Sequence, residues 1–371
     1  MNWHRWLFAL TALGMAAAAV LPLAVEHVSS ILARPILSAT TSAAVVLLAL
    51  AGWSRAGLSV ACGLAGVVLG CATSIALLRD PVITGAAGPG FWAMVGATWL
   101  AAALVLTRLA AVEPRTKTAR RAIDLAIPLL FGAFLFYLWE VTVRGFGVPS
   151  VLMPAPSAVA TRLAASLPIL GEDFVQTFRG VLSGYVIGCA AGFLVALIAD
   201  RFTFLGRGLL PLGNFASALP IVGLAPIMVM WFGFDWPSKA AVVVVITFFP
   251  MLVNTIAGLA AAGASERDLM RSYAAGYAQT LFKLRLPAAM PFIFNALKIN
   301  STLALIGAIV AEFFGTPVRG MGFRISIEVA RMSLDMVWAE IAIAAIAGTA
   351  FYGAVALAER ATTFWHPSYR T

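Results

Sequence analysis

Charged side chains are scarce in this sequence, since Asp, Glu, Lys and Arg make up only 11% of its 371 residues. Soluble domains carry roughly a quarter charged residues and about half apolar ones, whereas 61% of this chain is hydrophobic. So little polar surface cannot coat a water-soluble globule of this size. Together with the mean hydropathy of +0.95, this argues against a soluble enzyme and indicates an integral membrane protein.

Cysteine and histidine are also few, with three residues of each. Cys62, Cys71 and Cys189 lie inside apolar runs, where we expect them to be small buried hydrophobes. Neither residue type shows the spacing of a metal site or a disulfide framework. The histidines are scattered near chain ends and loops, so they form no catalytic cluster. We therefore expect no metal or cofactor on this chain.

The positive charge is the other unusual feature, with a formal net charge of +9. The Lys and Arg residues fall mostly in short connections between apolar runs, where they set the topology of a membrane protein. A nucleic-acid-binding surface would show a basic stripe with interleaved aromatic residues, and none is present. Nucleic acid is therefore not an expected partner.

Long apolar runs predict about ten transmembrane helices, because ~20 apolar residues cross the hydrocarbon layer and backbone groups in lipid must be satisfied internally. The first run, from Trp6 to Val25, exceeds the ~7–15-residue core of a signal peptide, so we expect a retained span. The predicted spans are 6–25, 36–53, 57–78, 90–112, 122–141, 175–199, 208–232, 239–261, 290–312 and 336–358.

The distribution of basic residues predicts the orientation and the division of the chain. Lys and Arg are densest at 108–121 and 267–285, so both segments and both termini are expected in the cytoplasm. The polar connection 113–121 (EPRTKTARR) separates two apolar parts. We predict an all-α integral membrane fold with a four-helix N-terminal extension (1–112), a basic cytoplasmic linker (113–121) and a six-helix core (122–371).

An amphipathic stretch lies between the predicted spans 239–261 and 290–312. Ser265 and Asp268 form an S-x-x-D helix start. The helix would place Leu269, Met270 and Tyr273 on one face, and the small residues 274–276 would allow a turn. A short helix of this kind suits insertion into a groove on a partner protein. The alternative is a helix on the membrane surface that only links two spans.

The same stretch resembles the EAA loop of binding-protein-dependent ABC importer permeases. That loop reads E-A-A, three residues, Gly, nine residues, Ile, one residue, Leu-Pro. When Leu286 and Pro287 are used as the anchor, Asp268 falls at the Glu position and Ala274 at the Gly position, while Gly276 lies two residues later. Further motifs that resemble this family occur in the right order along the chain, at 152–157 (LMPAPS), 218–221 (ALPI), 231–233 (WFG), 249–255 (FPMLVNT), 286–291 (LPAAMP) and 311–315 (AEFFG).

This resemblance covers about residues 122–366 and is closest to the nitrate, sulfonate, taurine and thiamine- or pyrimidine-precursor branch. It implies that the loop docks on a separate cytoplasmic ATPase, that a periplasmic binding protein delivers the substrate, and that a second copy completes a homodimer. No G-x-x-x-x-G-K-[ST] occurs here, so ATP and Mg are expected on the ATPase. The implied coupling residues are Asp268, Met270, Arg271, Ser272, Tyr273, Ala274, Gly276, Leu286 and Pro287.

Polar and small residues inside the spans form two further candidate groups. Polar groups in a span face a cavity or another helix, so they could line a translocation path or form interhelical hydrogen bonds; they are Asn214, Ser217, Asn254, Asn295 and Thr302. Gly184, Gly188 and Gly192 form a G-x-x-x-G-x-x-x-G ridge that favours close helix packing. Glu140, Glu312 and Glu340 lie near outer span ends, where we expect their carboxylates to reach water.

These observations predict the transmembrane permease of an ATP-driven importer in the bacterial inner membrane, not an enzyme. It would move a small nutrient, resembling either a sulfonate or nitrate or a pyrimidine or thiamine precursor, by alternating access. Two alternatives stay open. A secondary transporter driven by an ion gradient would carry inverted repeats and carboxylates in mid-span. A membrane scaffold or sensor derived from a permease would no longer transport.

Overall fold

The structure is a computed structural model that describes residues 3–25, 30–53, 56–114, 116–217, 219–315 and 319–365. Over these ranges every regular element is helical. Eight of the described helices are long and apolar enough to cross a membrane, and two shorter apolar helices are His4–Val20 and Ile221–Phe232. The predicted all-α integral membrane fold is therefore confirmed.

The chain forms two compact units, Met1–Ala160 and Thr161–Thr371. The first unit contains α1 (Trp3–Val20), α2 (Pro35–Trp53), α3 (Ala56–Leu77), α4 (Pro89–Ala110) and α5 (Lys117–Gly145). Helix α1 packs against α2 and α4, and α5 packs against α3 and α4. Part of the predicted linker is helical, because Thr116 caps the start of α5 by accepting a hydrogen bond from the Ala119 N–H. The predicted domain limits remain a prediction.

Helix α6 (Pro156–Ala165) crosses the boundary between the units. The second unit then contains α7 (Leu167–Arg201), α8 (Thr203–Ser217), α9 (Ile221–Phe232), α10 (Trp236–Ala260), α11 (Ala264–Ser272), α12 (Tyr277–Thr280), α13 (Leu286–Glu312), α14 (Met321–Ala330) and α15 (Leu334–Thr362). A single π-helical turn, Leu281–Arg285, joins α12 to α13. The central layer of the second unit is formed by α7, α10 and α13, with α10 in the middle.

Close packing of α7 against α10 is achieved by the glycine ridge. A Cβ atom on Gly184 would lie 2.5 Å from the Ala240 carbonyl oxygen, and one on Gly188 or Gly192 would overlap α10 as well. Only residues without a side chain allow two helix backbones to approach this closely. The ridge therefore lies where it sets the spacing of the central helices.

The predicted span 208–232 is wrong as a single helix. The structure divides it into α8 and α9, with Pro220 at the N-terminal cap of α9. Proline lacks an N–H group and disfavours helical backbone in the residue before it, so the apolar run does not continue as one helix. The predicted first span, 6–25, also ends early, because α1 stops at Val20.

Candidate functional site

Helix α11 stands apart from the core of its unit, between the end of α10 and the segment that leads into α13. None of its residues is buried. Leu269 is 56% exposed and Tyr273, which follows the helix, is 77% exposed. Burial of these two apolar side chains would lower the free energy, because it removes apolar surface from water. The start differs from the prediction, because Gly263 occupies the N-cap and Ser265 lies inside the first turn.

The turn after α11 explains why the resemblance calls for glycine at position 274. Ala274 has a φ of +54°, in the left-handed region that L-residues avoid and glycine tolerates. The Ala274 N–H donates to the Arg271 carbonyl (2.9 Å) and the Ala275 N–H to the Met270 carbonyl (3.0 Å). This is the hydrogen-bond pattern of a Schellman motif. Gly276, in contrast, has a φ of −67°.

Polar contacts on α11 itself are local and exposed. Arg271 and Asp268 form an ion pair at 3.2 Å with both side chains largely in solvent, and such pairs contribute little to stability. The Ser272 hydroxyl donates to the Leu269 carbonyl. These polar groups are therefore available to a partner, because none of these contacts reaches the rest of the protein.

The segment after the turn is held by the core. Leu281 is buried in the same apolar cluster as Leu259 and Ala289, and Leu286 packs against that cluster. Pro287 lies in the first turn of α13, directly after the π-helical turn. The predicted coupling residues thus divide into a set between Asp268 and Gly276, which is exposed except for the half-buried Met270, and the pair Leu286 and Pro287, which lies against the core.

A group of polar side chains that the sequence analysis missed fixes this anchored part. Asp200, near the end of α7, accepts two hydrogen bonds from the Arg285 guanidinium (2.6 and 2.8 Å) and one from the Tyr277 hydroxyl (2.9 Å). Arg285 also donates to the Leu259 carbonyl at 3.0 Å, and the Arg201 guanidinium lies over the Tyr277 ring. We call Asp200, Arg201, Tyr277 and Arg285 the Asp200 cluster.

The candidate path residues are not brought into one pocket by the described chain. Asn295 and Thr302 are exposed on one face of α13, where Phe292, Ile299 and Ile306 are also exposed. Asn254 is half-buried and donates to the Pro250 carbonyl of its own helix. The side chains of Asn214 and Ser217 lie outside the described residues. Their role in a path remains a prediction.

Asn300 is one of the polar span residues that the structure buries completely, together with its neighbour Ser301. Its Nδ2 donates to the Thr247 carbonyl at 2.8 Å and contacts the Cys189 sulfur at 3.2 Å. It therefore joins α13 to α10 and α7 and supports packing of the three central helices.

The far end of the same unit contains a second polar network, formed where α7 begins and α13 ends. The expectation that Glu312 and Glu340 reach water is wrong, since they are 2% and 0% exposed, and it is wrong for Glu140 of the first unit as well, which is 7% exposed. Glu312 accepts hydrogen bonds from the Thr177 hydroxyl and the Gly322 N–H. These hydrogen bonds compensate the Glu312 carboxyl group for the loss of water, as a buried polar group requires.

Asp173 completes this far network. It accepts from the Gly320 N–H at 2.7 Å and from Arg324 at 2.8 Å. Burial alone would lower the pKa of Arg324, but the hydrogen bond and charge of Asp173 raise it. Arg324 therefore stays protonated and holds α14 to α7. In the described parts of the chain, no group of three or more His, Cys, Asp or Glu residues is arranged to hold a metal ion.

Comparison with known proteins places this geometry in context. Residues 184–364 match the family described as the inner membrane component of binding-protein-dependent transport systems. A probable ABC transporter permease of Haemophilus influenzae is 30% identical over 221 residues, which cover 60% of this chain and 90% of the relative. A formylaminopyrimidine transport permease of Halalkalibacterium halodurans is 31% identical over 55% of this chain and 81% of its own length. A riboflavin transport permease of Chloroflexus aurantiacus is 27% identical over 69% and 97%.

Proposed function

Because this chain belongs to the family of binding-protein-dependent ABC transporter permeases, as the multi-pass inner-membrane subunit of an importer for a small nutrient, we propose that α11 is the docking element for a separate cytoplasmic ATPase. The observation that carries the proposal is the position of α11. It is amphipathic and has no buried residue, yet one end follows α10 directly and the other leads through α12 and the π-helical turn into α13. An ATPase bound here would hold ATP and Mg itself and displace the spans through this helix.

Leu269 and Tyr273 form the apolar part of the proposed docking surface. Both are exposed, and an aromatic anchor near the centre of an interface commonly dominates its binding energy. The turn at Ala274 matters because it fixes where the chain leaves this surface. For α11 to meet a cytoplasmic ATPase, the α10–α13 connection must lie in the cytoplasm, with both termini on the same side.

The remaining partners follow from the exposed face of α13. We infer that a second copy of this chain covers that face, so that Asn295 and Thr302 of both copies contribute neutral polar groups to one path. A periplasmic binding protein would load this path from the opposite side. The substrate class that we propose is a small organic nutrient, of either the pyrimidine- or thiamine-precursor type or the sulfonate or nitrate type. ATP hydrolysis would take place only on the partner chain.

The test is co-purification of the chain with its ATPase and the stimulation of ATP hydrolysis by the binding protein. Ala274→Arg, or deletion of 268–276, should abolish the stimulation while membrane insertion is retained. Ala274→Gly is the matched control, because glycine adopts the required φ without strain, and it should behave like the unmodified chain.

Orientation can be tested separately. A cysteine introduced by Ser272→Cys should react with a membrane-impermeant maleimide only from the cytoplasmic side. The proposal would be refuted by labelling from the periplasm, or by unchanged stimulated hydrolysis in the Ala274→Arg and deletion variants.

A further inference from the structure

We infer that the Asp200 cluster transmits the displacement of α11 to α7 and α10, so that Asp200, Tyr277 and Arg285 are positioning residues of the transport cycle. This inference rests on the proposed docking of the ATPase on α11. It goes beyond that proposal because chain connectivity alone would deliver the motion only to α10 and α13.

Arg285 makes the central contacts of the cluster. It lies in the π-helical turn just before α13, and its guanidinium bonds both carboxylate oxygens of Asp200 on α7. Its Nε donates to Leu259, near the end of α10, where the last carbonyls of a helix lack intrahelical partners. One side chain thus joins the start of α13 to the ends of two other spans.

Tyr277 joins the start of α12, just after the turn at Ala274, to the same cluster. It is the first residue of α12, and its hydroxyl donates to Asp200 while its ring lies 4.7 Å from the Arg201 guanidinium. The segment from Tyr277 to Arg285 is therefore held to α7 at both of its ends. Between this segment and α11 lies only the strained turn at Ala274 and the exposed Gly276.

The segments before and after the turn at Ala274 differ in burial, and this difference determines where a force on α11 would be delivered. On one side, α11 has no buried residue and can follow a partner. On the other side, the side chains of Arg285 and Asp200 are only 17% and 11% exposed, and bidentate pairs of this kind are geometrically specific. A displacement of α11 therefore reaches the Asp200 cluster before it reaches any span other than α10.

The position of Asp200 argues against a purely local role. A carboxylate near the C-terminal end of a helix is disfavoured by the helix dipole, and Asp200 is the penultimate residue of α7. Its pairing with Arg285 offsets that cost across 85 residues of sequence. The π-helical turn that carries Arg285 is itself uncommon, and such turns are frequent at functional sites.

The experiment uses the assembled complex of this chain with the ATPase that co-purifies with it, in proteoliposomes. Cys62, Cys71 and Cys189 are replaced by alanine, and a spin label is attached through Glu172→Cys, an exposed position in the first turns of α7. In a complex with two copies, the distance between the two labels reports movement of the far end of α7. It is measured without nucleotide and with ATP plus vanadate, so no transported substrate is needed.

In the otherwise unchanged chain, ATP plus vanadate should shift the label distance. Arg285→Met and Asp200→Asn should reduce the shifted population about tenfold, the size of effect expected when a coupling interaction between two sites is lost. The reversed pair, Asp200→Arg with Arg285→Asp, should restore part of it. Lys283→Met is the matched control, since Lys283 is an exposed cation of the same turn, and it should leave the shift unchanged.

The outcomes separate the two proposals. A normal shift in Arg285→Met would overturn the role of the Asp200 cluster and leave docking on α11 intact. Failure of the unmodified chain to co-purify with an ATPase would overturn the proposed function. If Arg285→Met does not assemble, Tyr277→Phe decides, because it removes a single hydroxyl: a reduced shift supports the inference, and an unchanged shift overturns it.

Discussion

Adding one methyl group at Gly188 should destabilise the protein, although alanine is the better helix former. In a helix, replacing glycine by alanine usually gains about 1 kcal/mol. At Gly188 the new Cβ would overlap the Thr247 hydroxyl oxygen and lie 2.9 Å from the Val244 carbonyl oxygen. Backbone atoms of a packed helix cannot rotate away, so α7 and α10 would have to separate.

The size of the effect follows from two opposing terms. Overpacking costs about 1–3 kcal/mol, and because two of the three nearest atoms are backbone atoms of Val244, we expect a cost in the upper part of that range. Subtracting the helix-propensity gain leaves a net loss of about 1–2 kcal/mol. Gly171→Ala, on the same helix, is the control, since no atom lies within 4 Å of its Cβ position. That variant should gain up to about 1 kcal/mol.

The assay is thermal unfolding in detergent, followed by a dye that fluoresces when it reacts with an exposed thiol. Cys189 is next to Gly188 and only 5% exposed, so it reports separation of α7 from α10 once Cys62 and Cys71 have been replaced. The melting temperature should fall for Gly188→Ala and hold or rise for Gly171→Ala. Equal melting temperatures for the two variants would refute the close contact between the helices.

Two further predictions concern charged groups. Lys298 and Glu359 form an ion pair at 2.7 Å, and their side chains are only 19% and 9% exposed. Lys298→Met should therefore lower the free energy of unfolding by about 3 kcal/mol, because it leaves Glu359 without this partner. Adding Glu359→Gln should recover most of the loss, and a double variant as unstable as the single one would contradict the prediction. Hydrogen bonds from the Gln176 side chain and the Trp236 N–H hold the pKa of Asp235 below its usual value. The stability that these hydrogen bonds contribute is present above the unfolded pKa of about 3.9 and is lost as the pH falls through the lower native pKa of Asp235. Between neutral and acid pH, the melting temperature of Asp235→Asn should therefore fall less steeply than that of the unmodified chain. Identical slopes of melting temperature against pH would contradict the assignment.

The coupling segment shows what can be predicted from sequence. The S-x-x-D start and the amphipathic pattern predicted a short helix before α13, and α11 lies there. The same alignment assigned the glycine position to Ala274, which has the left-handed backbone. These features depend on neighbours a few residues apart, and local sequence determines them. Ser265 was a poor guide to the helix start because Gly263 can also occupy an N-cap.

The features that were missed depend on distant neighbours or on backbone geometry. Asp200 and Arg285 are far apart in the sequence, and each looks like an ordinary charge at the end of a span. Glu312 was expected in water because apolar runs do not show that α7 and α14 cover it. The break before α9 was missed because hydropathy stays high across 208–232, while the backbone is interrupted at Pro220.

Helix α7 can move as one rigid element because three kinds of contact hold it, at its start, along its middle and at its end. Near its start, Asp173 and Thr177 bond the loop and helix that follow α13. Along its middle, the glycine ridge leaves no room for sliding against α10. At its end, Asp200 is held by Arg285. Tightly packed elements change arrangement as units and do not deform continuously. If the Asp200 cluster transmits the displacement of α11 as we propose, that displacement should also appear at Asp173, at the opposite end of the same helix.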